Sequence, residues 1–270
     1  MHTPTPIDDP AATAASLLPA WPYPRWIAHR GAGKLAPENT LAAFRLGARH
    51  GFRMFECDVK LSADGEPFLL HDAELTRTTS GQGAAAALEW LALSRLDAGG
   101  WHSAAYAGEP LLRLQALARW LQANHLAVNL EIKPSPGREQ ETGQVVAREA
   151  AQLWAGQAMP PLLSSFNLPA LEAAREAAPH LPRALLLEHW QDDGPDLATS
   201  LGCAAMVVHH PQLDADRMAA GHRAGLRMLT YTVNEPDRAE VLWEAGLDGL
   251  ITDRVDLFAD QARGEARRSP

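Results

Sequence analysis

The sequence predicts an α/β protein, a single (β/α)8 TIM barrel with a hairpin and an inserted segment after the second strand. Three observations predict it. From Trp26 onward, short strand-like runs alternate with helical runs eight times. Such alternation builds a parallel sheet, and eight units in about 240 residues match a barrel. No GxGxxG motif follows the first strand, which disfavours an open doubly wound sheet. Finally, charged residues sit at the C-terminal ends of several strands, where barrel enzymes place their chemistry.

The elements follow in order. WIAHR (26–30) reads as the first strand, and ENTLAAFRLGARHG (38–51) as a helix with an early Asn39/Thr40 cap region and a closing Gly51; Asn39 reads as the cap, with a second role near the site as the alternative. RMFECDV (53–59) is the second strand. EPFLLHD (66–72) follows after only a tight turn, too soon for a parallel crossover, so it returns antiparallel as a hairpin arm. With Asp64-Gly65 at the turn, Ser62 is expected opposite Pro67 and Asp58 opposite His71. Residues 73–110 form a long insertion, a candidate lid or substrate wall. LLRLQALARWLQAN (111–124) is helical, and LAVNLEI (126–132) is the third stave. Five more strands follow at 161–166, 183–188, 205–210, 227–233 and 247–252, with helical segments between them and a last helix from about Val255. Residues 1–23 read as an N-terminal tail, 24–262 as the barrel and 263–270 as a C-terminal tail.

Bulk properties narrow the function. With 46% hydrophobic residues the chain can bury a large core. The 24 Lys and Arg against 33 Asp and Glu give a formal charge of −9, which argues against nucleic acid or a stable hold on anionic membranes. Its two cysteines, Cys57 and Cys203, lie in apolar runs and read as buried thiols rather than a disulfide framework. No run of about 18 apolar residues is present, and the first residues lack a signal-peptide pattern, so the expected location is cytoplasmic.

Strand alternation sorts the faces. Phe55, Cys57 and Val59 share one face of the second strand, and Glu56 and Asp58 the other. On the third stave, Val128, Leu130 and Ile132 oppose Asn129, Glu131 and Lys133. If the apolar faces meet the outer helices, Glu56, Asp58 and Glu131 converge inside the barrel. An acid pair alone could be neutralised by Lys60, Lys133 or Arg30. Three convergent carboxylates instead call for one hard divalent cation, Mg²⁺ or Ca²⁺. His29 ends the first strand and His71 ends the hairpin. Flanking the carboxylates, they can serve as a general acid and base pair. Arg30 and Lys133 supply positive charge for a phosphate. The implied chemistry is attack on a phosphodiester. Phe166 and Trp190 are candidate substrate walls, the stave end Glu188-His189-Trp190 is a candidate lining of the alcohol pocket, and the stave end His209-His210 is within reach of the site.

HRG (29–31), PENT (37–40), ECDV (56–59), DG (64–65), HD (71–72), LTRTTSGQG (75–83), EIK (131–133), SSF (164–166), YTVN (231–234) and ITDR (251–254) occur in this order. The ordered set resembles the glycerophosphodiester phosphodiesterases, from residue 26 to 254. The resemblance implies a barrel of the phosphatidylinositol-phospholipase-C-like kind and hydrolysis of a small glycerophosphodiester to sn-glycerol 3-phosphate and an alcohol. It implies His29 and His71 as the acid/base pair, Glu56, Asp58 and Glu131 as ligands of a divalent metal, and Arg30 and Lys133 as phosphate contacts. It further implies attack by the glycerol 2-hydroxyl and a cyclic phosphate that water opens. Tyr231 departs from the family's commoner Trp, and Val255 from its commoner Pro. A lysophospholipase D using the same site, or a barrel that binds without cleaving, are the competing readings.

Overall fold

The computed structural model describes residues 21–267. The expected tail over residues 1–20, and residues 268–270, lie outside the described residues. Nine described strands form one sheet: β1 (Trp26–Ala28), β2 (Met54–Leu61), β3 (Pro67–Leu69), β4 (Ala127–Ile132), β5 (Leu162–Ser165), β6 (Arg183–Leu187), β7 (Ala205–His209), β8 (Arg227–Tyr231) and β9 (Gly249–Thr252). Eight of them are parallel neighbours in the order β1-β9-β8-β7-β6-β5-β4-β2, and β1 pairs with β2 to close the barrel. The ninth, β3, pairs antiparallel on the projecting end of β2. The described helices are α1 (Leu41–Arg49), α2 (Trp90–Leu93), α3 (Leu114–Ala123), α4 (Glu139–Leu153), α5 (Leu168–Ala177), α6 (Gly194–Ser200), α7 (Ala215–Arg223), α8 (Pro236–Glu244) and α9 (Ala259–Ala266). None of the described helices is long and apolar enough to cross a membrane.

Alternation along the staves builds two cores. Phe55, Cys57, Val59, Val128, Leu130 and Ile132 face outward and pack with α1, α3 and α4 side chains such as Phe44, Leu117 and Val146. Phe55 packs against Phe44 and Trp120, with ring centroids 5.5 and 6.1 Å away. Inside the barrel, Ile27, Met54, Ala127, Leu162, Ala184, Val207 and Leu229 fill the N-terminal end. That apolar plug leaves the C-terminal end of the interior to polar side chains. Tyr23 belongs to the plug and donates its hydroxyl to the Pro160 carbonyl at 3.0 Å, so packing begins ahead of the expected start at residue 24. At the other end, a turn over residues 255–258 precedes α9, and α9 runs to Ala266, beyond the expected boundary at 262.

The hairpin register differs from the expected one by a residue. Ser62 pairs with Glu66, Leu61 with Pro67 and Val59 with Leu69. The loop therefore has three residues, 63–65, with Gly65 at φ 84° in the left-handed position such loops favour. Asp58 stands opposite Leu70, whose amide donates to the Asp58 carbonyl at 3.1 Å. Continued pairing would have aimed His71 at the outer face beside Cys57. The chain instead leaves the strand at Leu70 and bends at His71 and Asp72.

The insertion is packed rather than loose. Phe68 and Leu70 of the hairpin, with Leu75, Ala85, Leu93, Ala98 and Leu111, make a small core of their own. Backbone bridges Phe68–Arg113, Glu74–Ala84 and Asp97–Pro110 tie it down.

Candidate active site

A cavity of about 460 Å³ opens at the C-terminal end of the barrel. Its lining includes His29, Arg30, Glu56, His71, Glu131, Lys133 and Phe166. Asp58 is buried behind them, 1% exposed. Strands β2 and β4 run in parallel register with Asp58 beside Glu131, so period-two alternation turns Glu56, Asp58 and Glu131 to the same side. One carboxylate oxygen from each lies within 4.8 Å of the others.

Three buried carboxylates cannot all ionise without compensation. Burial and the neighbouring Asp58 push Glu56 up to about 8. Burial and Asp58 also raise Glu131, against the pull of Lys133. Asp58 goes the other way. Burial would raise it, but Arg30 and Lys133 outweigh burial and hold it well below the usual carboxylate range. The contacts explain this. Arg30 Nε lies 3.2 Å from Asp58 Oδ2 and Lys133 Nζ 3.3 Å from Oδ1. Lys133 also donates to Glu131 Oε1 at 2.9 Å. Close by, Asn129 is fully buried, and neither its side-chain nitrogen nor its oxygen has a partner. An orphaned amide facing the cavity is fitted to a polar ligand. Three hard oxygen donors at this spacing fit a divalent cation.

The loop after β1 is held in an unusual conformation. Arg30 has φ 49° and Asn39 φ 59°, both left-handed and neither glycine. Gly31 and Gly47 permit it, since a Cβ on Gly47 would lie 2.1 Å from the Gly31 carbonyl oxygen. Asn39 is not the helix cap expected from sequence. Thr40 caps α1, accepting from the Ala43 amide at 3.3 Å. Asn39 instead donates to Asp58 Oδ2 at 2.8 Å and accepts from the Asp58 amide at 3.3 Å.

Each histidine is tethered by a carboxylate. His29 Nδ1 donates to Asp253 Oδ1 at 2.7 Å, and its Nε2 lies 3.8 Å from Glu56. Asn234 holds Asp253 in turn, accepting from its amide at 2.9 Å. His71 Nδ1 donates to Asp72 Oδ1 at 2.6 Å. A carboxylate only accepts, so Nδ1 carries the proton in both rings. The environments then separate the two. Burial opposes charge on His29, but Asp253 and Glu56 outweigh it and raise His29. Burial lowers His71, and Arg30 and Lys133 add to that against the pull of Asp58.

Arg77, from the insertion, spans the site. It donates to Asp72 and, through Nη1 and Nη2, to both oxygens of Glu38 at 2.8 Å. Glu38 in turn accepts from Arg30 Nη1 at 2.9 Å. One guanidinium thus fixes the partner of His71 and the partner of Arg30 together. Sequence reasoning gave Glu38, Arg77 and Asp253 no role, although each sits inside a quoted motif.

The far half of the cavity is lined by Phe166, Glu188, His209, Tyr231 and Thr232 from the ends of β5 to β8. Trp190 lies off this wall. Its indole nitrogen donates to Asp192, and Arg217 sits 5.7 Å from its ring.

Comparison with known proteins agrees with this architecture. An Oleispira antarctica phosphodiesterase, solved in complex with the product sn-glycerol-3-phosphate, is 31% identical with a TM-score of 0.82, covering 94% of this chain and 99% of that one. A glycerophosphodiester phosphodiesterase from Agrobacterium tumefaciens is 28% identical with a TM-score of 0.74, covering 87% and 99%. A glycerophosphodiester phosphodiesterase of Caldanaerobacter subterraneus subsp. tengcongensis is 29% identical over 88% of this chain and 97% of its own length. The sequence pattern of the glycerophosphoryl diester phosphodiesterase family matches residues 29–257. With these residues gathered at the mouth of an eight-stave barrel, the chain belongs to the glycerophosphoryl diester phosphodiesterase family.

Proposed function

We propose that the chain hydrolyses glycerophosphodiesters to sn-glycerol 3-phosphate and a free alcohol. The observation that carries the reading is one cavity lined by Glu56, Glu131, two carboxylate-tethered histidines, and Arg30 with Lys133, with Asp58 clustered directly behind the two glutamates. Glu56, Asp58 and Glu131 would hold one divalent cation, Mg²⁺ or Ca²⁺, which supplies positive charge to the phosphoryl oxygens. Arg30 and Lys133 bind and orient the phosphate beside it.

His71 is the base in this reading. With its Nδ1–H on Asp72, Nε2 presents a lone pair, and its lowered proton affinity keeps it neutral near pH 7. It takes the proton of the glycerol 2-hydroxyl as that oxygen attacks phosphorus. His29 is the acid, its proton favoured by Asp253, and it donates to the departing alcohol oxygen. Water then opens the cyclic phosphate with the two roles reversed, so one diester and one water give one monoester and one alcohol. We place the chain in the cytoplasm without stable membrane association, a reading supported by two free thiols, Cys57 and Cys203, and a formal charge of −9.

The test is release of glycerol 3-phosphate from glycerophosphocholine with Mg²⁺ or Ca²⁺, with EDTA, and in His29→Ala. Turnover that needs the cation and His29 is expected. Absence of turnover on every headgroup would sink the reading. Turnover confined to acylated substrates would favour a lysophospholipase D, for which exposed Leu91 and Trp101 on the insertion are the supporting observation.

A further inference from the structure

We propose that the far half of the cavity is a cation cage, and that the preferred leaving alcohol carries a quaternary ammonium group, as choline does. This rests on the phosphodiesterase reading above. Phe166 and Tyr231 stand as two walls, with ring centroids 5.7 Å apart and planes at 83°. His209 packs 5.5 Å from Tyr231 at 34° and extends the second wall. The Tyr231 hydroxyl donates to the Leu187 carbonyl at 3.3 Å, which fixes that ring. Phe166 keeps 41% of its surface exposed, on the cavity side of a strand end where apolar burial would be the ordinary fate.

Charge supplies the second, independent observation. Glu188 lines the same half of the cavity. Among the described residues no hydrogen bond or ion pair engages its carboxylate, unlike Glu56, Asp58 and Glu131, which have Arg30, Lys133 or His29 beside them. The Glu188 charge is felt at Tyr231, where it adds to burial in raising the phenol. With a divalent cation on the three carboxylates the cavity is polarised, with that cation, Arg30 and Lys133 at one end and the exposed Glu188, in the same lining as Phe166, His209 and Tyr231, at the other. A zwitterion with phosphate at one end and a trimethylammonium at the other matches that polarity. Aromatic faces attract such a cation without asking it for hydrogen bonds, which it cannot give. A polyol headgroup brings no charge for Glu188 to meet.

Measure kcat/KM for glycerophosphocholine, glycerophosphoglycerol and glycerophosphoinositol in wild type, Glu188→Gln, Glu188→Lys and Phe166→Leu. The choline diester should lead the neutral ones by about tenfold or more in wild type. That ratio should fall by about fivefold to tenfold in Glu188→Gln and in Phe166→Leu, and drop below one in Glu188→Lys. Equal kcat/KM across headgroups in wild type overturns the proposal, as does a Glu188→Gln effect of the same size on all three. Choline titrated calorimetrically gives a readout independent of turnover. It should bind wild type and lose at least most of that binding in Glu188→Gln. If no diester is cleaved, the phosphodiesterase reading fails, and the titration alone then decides the cage: binding that Glu188→Gln abolishes supports it, and no binding refutes it.

Discussion

Loading a divalent cation should drive a proton off Glu56. Burial and Asp58 place Glu56 near 8 against an ordinary 4.5, so at pH 7 about nine in ten molecules without metal hold it protonated. A cation shared with Asp58 and Glu131 needs the ionised form. Binding at pH 7 should therefore release close to one proton from Glu56, with a further fraction from the raised Glu131. Below pH 8 the apparent affinity should weaken by about tenfold per pH unit, the cost of removing one proton. The same shift has a stability consequence with a definite sign. Folded Glu56 holds its proton more tightly than the unfolded chain does, so its favourable contribution is complete below about pH 4.5 and is lost as pH rises through 8. By pH 7 the metal-free protein has forgone about 3 kcal/mol relative to a variant with an uncharged residue there. Isothermal titration with Mg²⁺ at pH 7, in two buffers of different ionisation enthalpy, counts the protons. The expected count is near one at pH 7 and near zero at pH 9.5. Tight binding at pH 6 to 7 with no proton released would refute the reasoning, because it would mean that Glu56 is already ionised in the empty site.

Asp253→Asn removes the carboxylate that raises His29, so the alkaline limb of the pH profile should move toward acid, read from kcat/KM across pH 5 to 9. His71→Ala should lower kcat by about 10² to 10⁴ while the far-UV circular dichroism and melting temperature stay near wild type, since the ring is a third exposed at the cavity rim. Arg77→Ala frees Asp72 and Glu38 together, and should cost about tenfold in kcat/KM with partial recovery in Arg77→Lys, which restores charge but not the fork. Phe55→Ala empties the contact between β2 and the α1 and α3 rings, and chemical denaturation should show a loss of about 3 to 5 kcal/mol.

The barrel was legible because its signal is local. MFECDV and VNLEI alternate strictly, so each residue's face follows from its neighbours, and the carboxylate cluster follows from the faces. The hairpin register was not legible at that level. A three-residue and a four-residue loop fit ADGE equally well by composition, and only the left-handed Gly65 chooses between them. His71 reached the cavity by a bend that pairing rules do not encode. Asn39 takes the alternative role near the site rather than the cap for a similar reason: asparagine and threonine both cap helices, and the buried Asp58 that captures Asn39 lies 19 residues away. Asp253 escaped notice because its partner His29 is 224 residues distant, a separation at which only closure of the barrel makes neighbours.

The cavity is divided between two arcs of the wall. β1, β2 with its hairpin, and β4 carry the carboxylates, the histidines and the cations Arg30 and Lys133, whereas β5 to β8 carry Phe166, Glu188, His209 and Tyr231. Among the described residues no hydrogen bond or ion pair joins these four side chains to the first arc, so substitutions among them should leave the first arc's polar contacts in place. New headgroup specificities should then arise by exchanging strand ends on the second arc alone, with the reaction itself inherited unchanged. A barrel of this plan is a fixed reactor with a replaceable socket, which makes it a natural starting point for directed evolution toward unfamiliar alcohols.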